Sequence, residues 1–213
     1  ASLAHELNNP ISIILNHVEL VQTKKLTDEE EATFLARIHS EILRINNLID
    51  NLLQFARNEA LSTESTNLCQ LIDQVFTVFT PMFEKKGIAH NVVNDANQTV
   101  IRGNPTLLKQ LFLNITKNAI ESIRREEGSL IAAIENRNGT VRVAIADNGV
   151  GMPESVVARI FDPFFTSKAH PNVGLGLSLC REIVRKHGGT IDVQSQEGEG
   201  TTVVVEFPLG EEQ

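Results

Sequence analysis

The sequence predicts an α+β chain, in which a helical hairpin precedes an α/β sandwich, and two patterns lead to this fold class. Up to about residue 60, apolar residues recur at alternating steps of three and four, which draws an apolar seam along an α-helix. Beyond residue 66, alternating apolar runs and glycine turns indicate strands interleaved with helices. The polar stretch 61–66 separates the patterns, so we expect domains at 1–62 and 67–213.

The composition is that of an ordinary soluble domain. The 213 residues are 41% hydrophobic and 22% charged, and no apolar run approaches the roughly 18 residues that span a bilayer. The net charge of −8 argues against nucleic acid as a main partner. Cys69 and Cys180 lack metal-ligand spacing, which favours a reducing compartment, and we expect this part of the protein to be cytoplasmic.

The first predicted helix is already under way at residue 1, without a capping residue before it. We therefore expect a fragment of a longer protein, and its sequence does not decide whether that protein is cytoplasmic or anchored in the inner membrane. His5 lies off the apolar seam of this helix, and Asn9, one turn later, shares its face. A lone histidine there is most simply a surface residue. A zinc-protease helix would need His at position 9, so that interpretation fails.

A second helix is predicted to start at the capping box Thr27–Glu30 and to run to about residue 60. Two long helices joined by a short loop form an antiparallel hairpin. Such a hairpin alone leaves much of its apolar stripe in water, so we expect pairing with a second copy into a dimeric four-helix bundle. A plain coiled-coil linker accounts equally well for the packing, but it does not account for His5.

Beyond residue 66, a helix is predicted from Leu68 to Lys86, with Asn67 as its N-cap and Gly87 as its stop. Pro81 inside this helix should kink it or end it early. Short strands are expected over 88–93 and 99–103.

The next predicted helix begins at Pro105 and continues to about Glu127, and it carries a polar stripe beside its apolar face. Asparagine is a poor helix former because its side chain competes for backbone hydrogen bonds. Two aligned asparagines in mid-helix therefore indicate a polar surface kept for a ligand. The stripe consists of Gln110, Asn114, Lys117, Asn118 and Glu121.

Strands over 130–136 and 140–147 are joined by the hairpin turn Asn138-Gly139. The second strand runs into Asp147-x-Gly149-x-Gly151, where the glycines permit a tight turn and close approach of the backbone to a ligand. Asp147 places an acceptor carboxylate at the strand end. Taken alone, this motif is a common turn.

The segment Phe161-x-Pro163-Phe164-Phe165 follows a short predicted helix, and core packing is the usual fate of such a cluster. Gly174-Leu175-Gly176-Leu177 then opens a helix to about His187. A glycine turn at a helix start is a phosphate site, because free N–H groups and the helix dipole both favour anions. Strands over 191–195 and 201–208 close the sheet as a hairpin.

Five motifs, in this order and spacing, resemble the catalytic core of two-component sensor histidine kinases. His5-Glu6-Leu7-x-x-Pro10 is similar to the phospho-acceptor box of the HisKA-type dimerisation domain, in the form found in the nitrogen-regulation branch. The other four resemble the N box, first glycine box, F box and second glycine box of a GHKL-type ATP-binding domain. They are Asn114-x-x-x-Asn118, Asp147-x-Gly149-x-Gly151, Phe161-x-Pro163-Phe164-Phe165 and Gly174-x-Gly176.

The resemblance implies an ATP-dependent protein histidine kinase. It would transfer the γ-phosphoryl group of Mg-ATP to His5 and then to an aspartate of a response regulator receiver domain. Glu6 would hold the proton on the other ring nitrogen, and Asn9 would orient the water that dephosphorylates the regulator. The resemblance also implies a homodimer and an N-terminal sensor domain outside this fragment.

The resemblance further implies a nucleotide site. Asp147 would accept a hydrogen bond from the adenine amine, Asn118 would coordinate Mg²⁺, and Asn114 would contact the phosphate region. Lys168 and the N–H groups near Gly174 to Leu177 would hold phosphates. The nucleotide-binding set implied is Asn114, Lys117, Asn118, Asp147, Gly149, Gly151, Phe165, Lys168, Gly174, Leu175, Gly176 and Leu177.

Two rival classes and one departure from the family pattern follow from the same residues. A GHKL-type ATPase of the gyrase or chaperone kind needs a water-activating Glu where Asn114 stands, and an amide is not a general base. A non-catalytic dimeric scaffold would have no need of His5, Asn118 and Asp147. Only eight residues separate Phe165 from Gly174, so the resemblance implies a short ATP lid.

Overall fold

A computed structural model describes residues 3–56, 64–163, 165 and 174–209, with the backbone alone at 3–6, 47–48 and 50–56. These residues divide into two compact units. One contains 3–56 and the described residues of 162–175, and the other contains 64–161 and 176–209. The predicted fold class, a helical hairpin followed by an α/β sandwich, is confirmed.

The hairpin consists of α1 (Leu3–Thr23) and α2 (Asp28–Ala56). The predicted capping box is confirmed, because the Thr27 N–H donates to Glu30 Oε2 at 2.9 Å and the Glu30 N–H donates to Thr27 Oγ1 at 3.3 Å. Between the helices, the rings of His17 and Phe34 meet edge to face at 5.4 Å. The predicted end near residue 60 lies outside the described residues.

The second unit contains seven strands and four helices among the described residues. Five strands form a mixed sheet in the order β2-β4-β5-β7-β6, with only β2 and β4 parallel, while β1 and β3 form a separate antiparallel pair. The strands are β1 (Glu64–Asn67), β2 (Ile88–Asn94), β3 (Val100–Gly103), β4 (Gly128–Arg137), β5 (Thr140–Asp147), β6 (Thr190–Gln196) and β7 (Gly200–Pro208). The helices are α3 (Leu68–Lys86), α4 (Pro105–Ser122), α5 (Glu154–Val157) and α6 (Gly176–Lys186).

One hydrophobic core joins a face of the sheet to α3, α4 and α6. Side chains alternate across a strand, so every second residue of β5 enters this core: Val141, Val143 and Ile145 are buried. The same alternation places Asp147 on the helix-covered face, at the end of β5. No described helix combines the length and apolar character required to cross a membrane.

The caps predicted for α3 are confirmed. Asn67 Oδ1 accepts from the Gln70 N–H at 3.2 Å, and Gly87 ends the helix with φ of 64°. The helix does not end early at Pro81, so that part of the prediction is wrong. The buried side chains of Phe79 and Phe83 lie on either side of Pro81 and hold the helix against the core.

Two further boundaries differ from the prediction. α4 ends at Ser122 rather than near Glu127, because Ile123 turns into extended backbone and buries its side chain. Because the helix ends there, the Ile120 carbonyl has no partner within the helix. Lys86 Nζ donates to its oxygen at 2.6 Å instead. Residues 64–66 of the predicted linker 61–66 form β1 together with Asn67, and this strand pairs with β3. The predicted turn at Asn138-Gly139 is confirmed, with φ of 49° and 79°.

Candidate active site

The start of α4 is fixed by a cap and by a buried imidazole. Asn104 Oδ1 accepts from the N–H groups of Thr106 and Leu107 at 3.0 and 3.1 Å. The Asn104 N–H donates to His187 Nε2 at 2.9 Å, and the other ring nitrogen, Nδ1, lies 2.7 Å from the Ile183 carbonyl. His187 is therefore a neutral imidazole with its hydrogen on Nδ1. Burial lowers its pKa, and the bond to Ile183 opposes that shift.

The two predicted asparagines of α4 lie in different surroundings. Asn118 is half-buried, and its Nδ2 lies 4.0 Å from the position a Cβ at Gly176 would take. The N box and the second glycine box therefore meet. Asn114 Nδ2 is fully buried and has no hydrogen-bond partner among the described residues. It lies near Cys180, where burial raises the pKa of the thiol to about 12.

Lys117 lies on the exposed side of α4. Its Nζ is 4.0 Å from Glu121 Oε1, one turn along the helix. The Lys117 side chain is more than half exposed, so the pair contributes little to stability. The charge of Lys117 is thus available on the surface of the helix that carries Asn118.

Asp147 is held at the end of β5 by two short hydrogen bonds to one oxygen. Its Oδ1 lies 2.7 Å from Ser122 Oγ and accepts from the Gly149 N–H at 2.8 Å. The N–H of Val150 also donates to the Ser122 carbonyl, at 3.1 Å. The last residue of α4 and the turn after β5 are thereby joined, and the orientation of the Asp147 carboxylate is fixed.

The glycines near Asp147 allow backbones to approach closely. A Cβ at Gly149 would overlap Ser122 Oγ, and a Cβ at Gly200 would overlap the Asp147 carbonyl oxygen. A Cβ at Gly151, where φ is 63°, would overlap the Gln196 carbonyl oxygen. The structure shows that Gly149 and Gly151 of the predicted motif closely approach neighbouring protein atoms. Their predicted close approach to a ligand stays a prediction.

A shallow, open depression of about 370 Å³ lies beside Asp147. Its walls are formed where β6 ends and β7 begins, and most of the lining residues are polar. Ser195 Oγ and Thr201 Oγ1 lie 2.8 Å apart in this wall. The remaining lining residues are Gln194, Gln196, Glu199, Gly200 and Thr202.

The second glycine box begins a helix, as predicted. Gly174 has φ of 71°, Leu175 is buried, and α6 starts at Gly176. The first N–H groups of a helix have no partner within the helix, so the N–H groups from Gly176 and Leu177 onward are oriented to donate. In α6 this end is the one that lies near Asn118.

The F box is described in part. The Arg181 guanidinium of α6 lies 5.7 Å from the centroid of the Phe161 ring, a cation–π contact. Phe165 is half-buried, and its N–H donates to the Asp162 carbonyl at 3.2 Å. Lys168 lies outside the described residues, so its predicted phosphate contact stays a prediction.

His5 and Glu6 lie in the first two turns of α1, where only the backbone is described. Asn9 is exposed on the same helix. The roles predicted for these side chains stay predictions.

A magnesium site is compatible with the donor set around α4. Among the described residues, no group of three or more His, Cys, Asp or Glu side chains is placed to hold a metal ion. Mg²⁺ commonly takes one or two protein oxygens and completes its shell with substrate phosphates and water. The half-buried amide of Asn118, next to the start of α6, fits such a shared site.

Several site residues were not predicted. Ser122 lies four residues after Asn118, so helical spacing was a usable signal. Asn148 accepts from the Ser129 N–H and donates to the Glu127 carbonyl, both at 2.8 Å. Arg125 Nη2 donates to the Gly198 carbonyl at 2.7 Å, and no local pattern indicates that bond. The fourth residue that was not predicted is His187, which accepts the Asn104 N–H at the start of α4.

Two protein-family models match the chain. The "His Kinase A (phospho-acceptor) domain" matches residues 1–61, which include α1 and α2. The "Histidine kinase-, DNA gyrase B-, and HSP90-like ATPase" matches residues 103–211, which include α4, Asp147 and α6.

The chain is also similar to individual proteins and to solved structures. The sensor histidine kinase ZraS of Klebsiella oxytoca is 31% identical over 213 residues, covering 100% of this chain and 46% of that protein. The crystal structure of histidine kinase ThkA with response regulator protein TrrA is 29% identical, has a TM-score of 0.81, and covers 97% of this chain and 60% of that one. Full-length ShkA in complex with AMPPNP is 27% identical, with a TM-score of 0.73, covering 97% of this chain and 44% of that one. The chain spans less than half the length of the curated relatives ZraS and Bacillus subtilis sporulation kinases B and D.

Proposed function

Since the chain belongs to the sensor histidine kinase family, we propose that it is the catalytic core of a kinase that phosphorylates its own His5 from ATP. One observation carries this proposal: a single helix, α4, joins three motifs that are far apart in sequence. Asn118 lies beside Gly176 at the start of α6, and Ser122 holds Asp147 at the end of β5. A phosphate-binding helix start, an amide and an oriented carboxylate are the parts that a nucleotide site requires.

The nucleotide is proposed to bind with its base at Asp147 and its phosphates toward α6. The carboxylate accepts from the adenine amine, and the N–H groups of Gly174 to Leu177 hold phosphates together with Lys168. Asn114 and Lys117 act near the phosphate end, and the nucleotide-binding role that the resemblance implies for Phe165 stays a prediction. The AMPPNP complex of ShkA supports an adenine nucleotide as the ligand. Mg²⁺, held through the Asn118 amide oxygen, supplies charge neutralisation at the phosphates when bound.

The reaction is a phosphoryl transfer between nitrogen and oxygen. A ring nitrogen of His5 forms a bond to the γ-phosphorus of ATP, while the bond from that phosphorus to its bridging oxygen breaks and ADP leaves with the electron pair. Glu6 holds the proton on the other ring nitrogen, which keeps the attacking nitrogen nucleophilic. The protein contributes positioning and charge stabilisation, as in other phosphoryl transfers.

The nucleotide site is tested by Asp147→Asn. An amide directs a donor toward the adenine amine, so we expect ATP affinity to fall at least a hundredfold, while the melting temperature changes little. Isothermal titration with ATP measures the loss. Asp192→Asn, an exposed change on β6, is the matched control. Wild-type affinity in Asp147→Asn would contradict the site.

The partner that receives the phosphoryl group is proposed to be an aspartate of a response regulator receiver domain. The complex of ThkA with the response regulator TrrA supports this class of partner. Asn9 is exposed one turn after His5, where an amide can orient a water for dephosphorylation of the regulator. Asn9→Ala should then keep autophosphorylation and lose regulator dephosphorylation, and equal losses of the two rates would contradict this role.

The protein is proposed to act as a homodimer through its hairpin. Apolar residues of both helices are exposed, with Leu15 at 61%, and the phospho-acceptor family match supports a dimerisation role. A second copy would cover this surface in a four-helix bundle. Ile42→Asp should therefore dissociate the dimer in sedimentation experiments, whereas Ser40→Asp, an exposed polar control, should not. A dimer unaffected by Ile42→Asp would contradict this interface. The exposed apolar residues of the hairpin are Ile11, Leu15, Leu35, Ile42, Leu43 and Ile49.

The domain boundary and the cellular location follow from the same proposal. We place the phosphotransfer hairpin at 1–62 and the ATP-binding domain at 67–213, extended at its start by residues 64–66, which pair with β3 as part of β1. Use of ATP and the two free cysteines, Cys69 and Cys180, support a cytoplasmic location for this part of the protein.

A further inference from the structure

We propose that Ser122 is a positioning residue for base recognition, whose hydroxyl holds the Asp147 carboxylate in the orientation that accepts the amine of adenine. This inference rests on the proposed nucleotide site and names a determinant of its base specificity. Ser122 is the last residue of α4, and it reaches Asp147 across 25 positions of sequence.

The hydroxyl of Ser122 lies between two acceptors. Ser122 Oγ is 2.7 Å from the Ala119 carbonyl oxygen and 2.7 Å from Asp147 Oδ1. A hydroxyl has one hydrogen to donate, and an ionised carboxylate is a stronger acceptor than a backbone carbonyl. The geometry therefore favours donation to Asp147.

The position of the hydroxyl is fixed from the backbone as well. The Val150 N–H donates to the Ser122 carbonyl at 3.1 Å, and the Gly149 N–H donates to the same carboxylate oxygen at 2.8 Å. Gly149 lacks a Cβ, and a Cβ there would overlap Ser122 Oγ. The turn after β5 thus leaves space for a hydroxyl at residue 122 and directs a second donor to the oxygen that this hydroxyl reaches.

A fixed carboxylate discriminates between purine bases. Adenine presents an amine donor at its sixth position, whereas hypoxanthine presents a carbonyl acceptor there. Loss of the Ser122 hydroxyl removes one of the two hydrogen bonds described at Asp147 Oδ1, and with it one constraint on the orientation of the carboxylate. The loss should weaken adenine nucleotides selectively, because hypoxanthine has no exocyclic amine to donate to this acceptor.

The experiment compares ADP and IDP binding by isothermal titration in the whole chain. Ser122→Ala should weaken ADP binding about tenfold, the size of one lost hydrogen bond to a charged group, and leave IDP binding within twofold of wild type. Ser122→Thr keeps the hydroxyl and should restore ADP affinity to within threefold. Thr116→Val is the matched control on α4, because Thr116 Oγ1 is buried and has no partner among the described residues.

The outcomes separate this inference from the proposed function. If wild type prefers ADP to IDP and Ser122→Ala keeps both affinities, the role of Ser122 is overturned while the nucleotide site stands. Equal weakening of ADP and IDP, together with a lower melting temperature, would make Ser122 a structural cap of α4 and would also overturn it. Failure of wild type to bind ADP would overturn both proposals.

Discussion

At the residue scale, the glycines around Asp147 are requirements of backbone packing. Gly149, Gly151 and Gly200 each stand where a Cβ would overlap a neighbouring atom, and two of those atoms are backbone carbonyl oxygens. Backbone cannot move aside as a flexible side chain can. Substitution at these positions should therefore disturb the fold around the carboxylate before it disturbs any ligand contact.

Gly151→Ala should destabilise the protein much more than Gly139→Ala. Both glycines have positive φ, 63° and 79°, so alanine is strained at either position by about 1 kcal/mol. Gly139 has no atom within 4 Å of a Cβ, whereas at Gly151 the Cβ would overlap the Gln196 carbonyl. We expect unfolding free energies lower by about 1 kcal/mol for Gly139→Ala and by about 3 kcal/mol or more for Gly151→Ala, measured by denaturant titration. Equal losses would contradict the packing argument.

Motif spacing was sufficient to single out Asp147, because carboxylate and glycines are adjacent in the sequence. It was insufficient for the Ser122–Asp147 contact, which depends on where α4 ends, and the sequence pattern extended that helix to about Glu127. Asn114 and Asn118 were predicted to form one polar surface. Their surroundings differ because Asn114 Nδ2 is buried near Cys180, and helical periodicity does not show what packs against a face.

At the element scale, His187 joins the two helices that carry motifs of the proposed nucleotide site. Its Nε2 accepts the Asn104 N–H at the start of α4, and its Nδ1 is bonded to Ile183 in α6. Gly103, just before α4, has no Cβ and leaves room for the imidazole ring. Protonation would put a hydrogen on Nε2 and remove the acceptor that α4 requires.

The neutral state of His187 predicts a pH dependence of stability. Burial lowers its pKa in the folded protein, so below about pH 6.5 the unfolded chain takes up the proton first. The stabilisation is fully present above about pH 6.5 and is lost as the pH falls from there toward the folded-state pKa. His187→Gln should lower the unfolding free energy at pH 8 and flatten its fall between about pH 5 and 7, as measured by urea titration.

His90→Gln is the control for this pH series. His90 is an exposed residue of the same unit, on β2, so the variant controls for the replacement of a histidine away from α4 and α6. If His187→Gln retained the wild-type pH dependence, the neutral imidazole would not be the source of the effect.

Most helix and strand positions were predictable because their signals are local. The predicted caps of α3 lie at Asn67 and Gly87, and the predicted turn lies at Asn138 and Gly139, as the structure shows. The errors occurred where tertiary contacts decide. The polar residues of β1 form a strand because they pair with β3. α4 ends before Ile123 because this side chain is buried in the core.

At the scale of the whole molecule, the hairpin and the ATP-binding domain supply different parts of one proposed reaction. The hairpin bears His5, the proposed acceptor, and the domain bears the proposed nucleotide site around Asp147. The two domain families were predictable from five motifs in a fixed order, and both family models match where those motifs lie. The proposed reaction joins the two parts by transferring the γ-phosphoryl group of ATP to His5.

The most direct measurement of that transfer is labelling with γ-³²P-ATP, comparing wild type with His5→Gln. We predict that wild type incorporates a phosphoryl group that is labile to acid and stable to alkali, as a phosphorus–nitrogen bond requires. His5→Gln should bind ATP with wild-type affinity and incorporate no label. Label on His5→Gln, or an acid-stable label on wild type, would show that another residue accepts the phosphoryl group and would contradict the central claim.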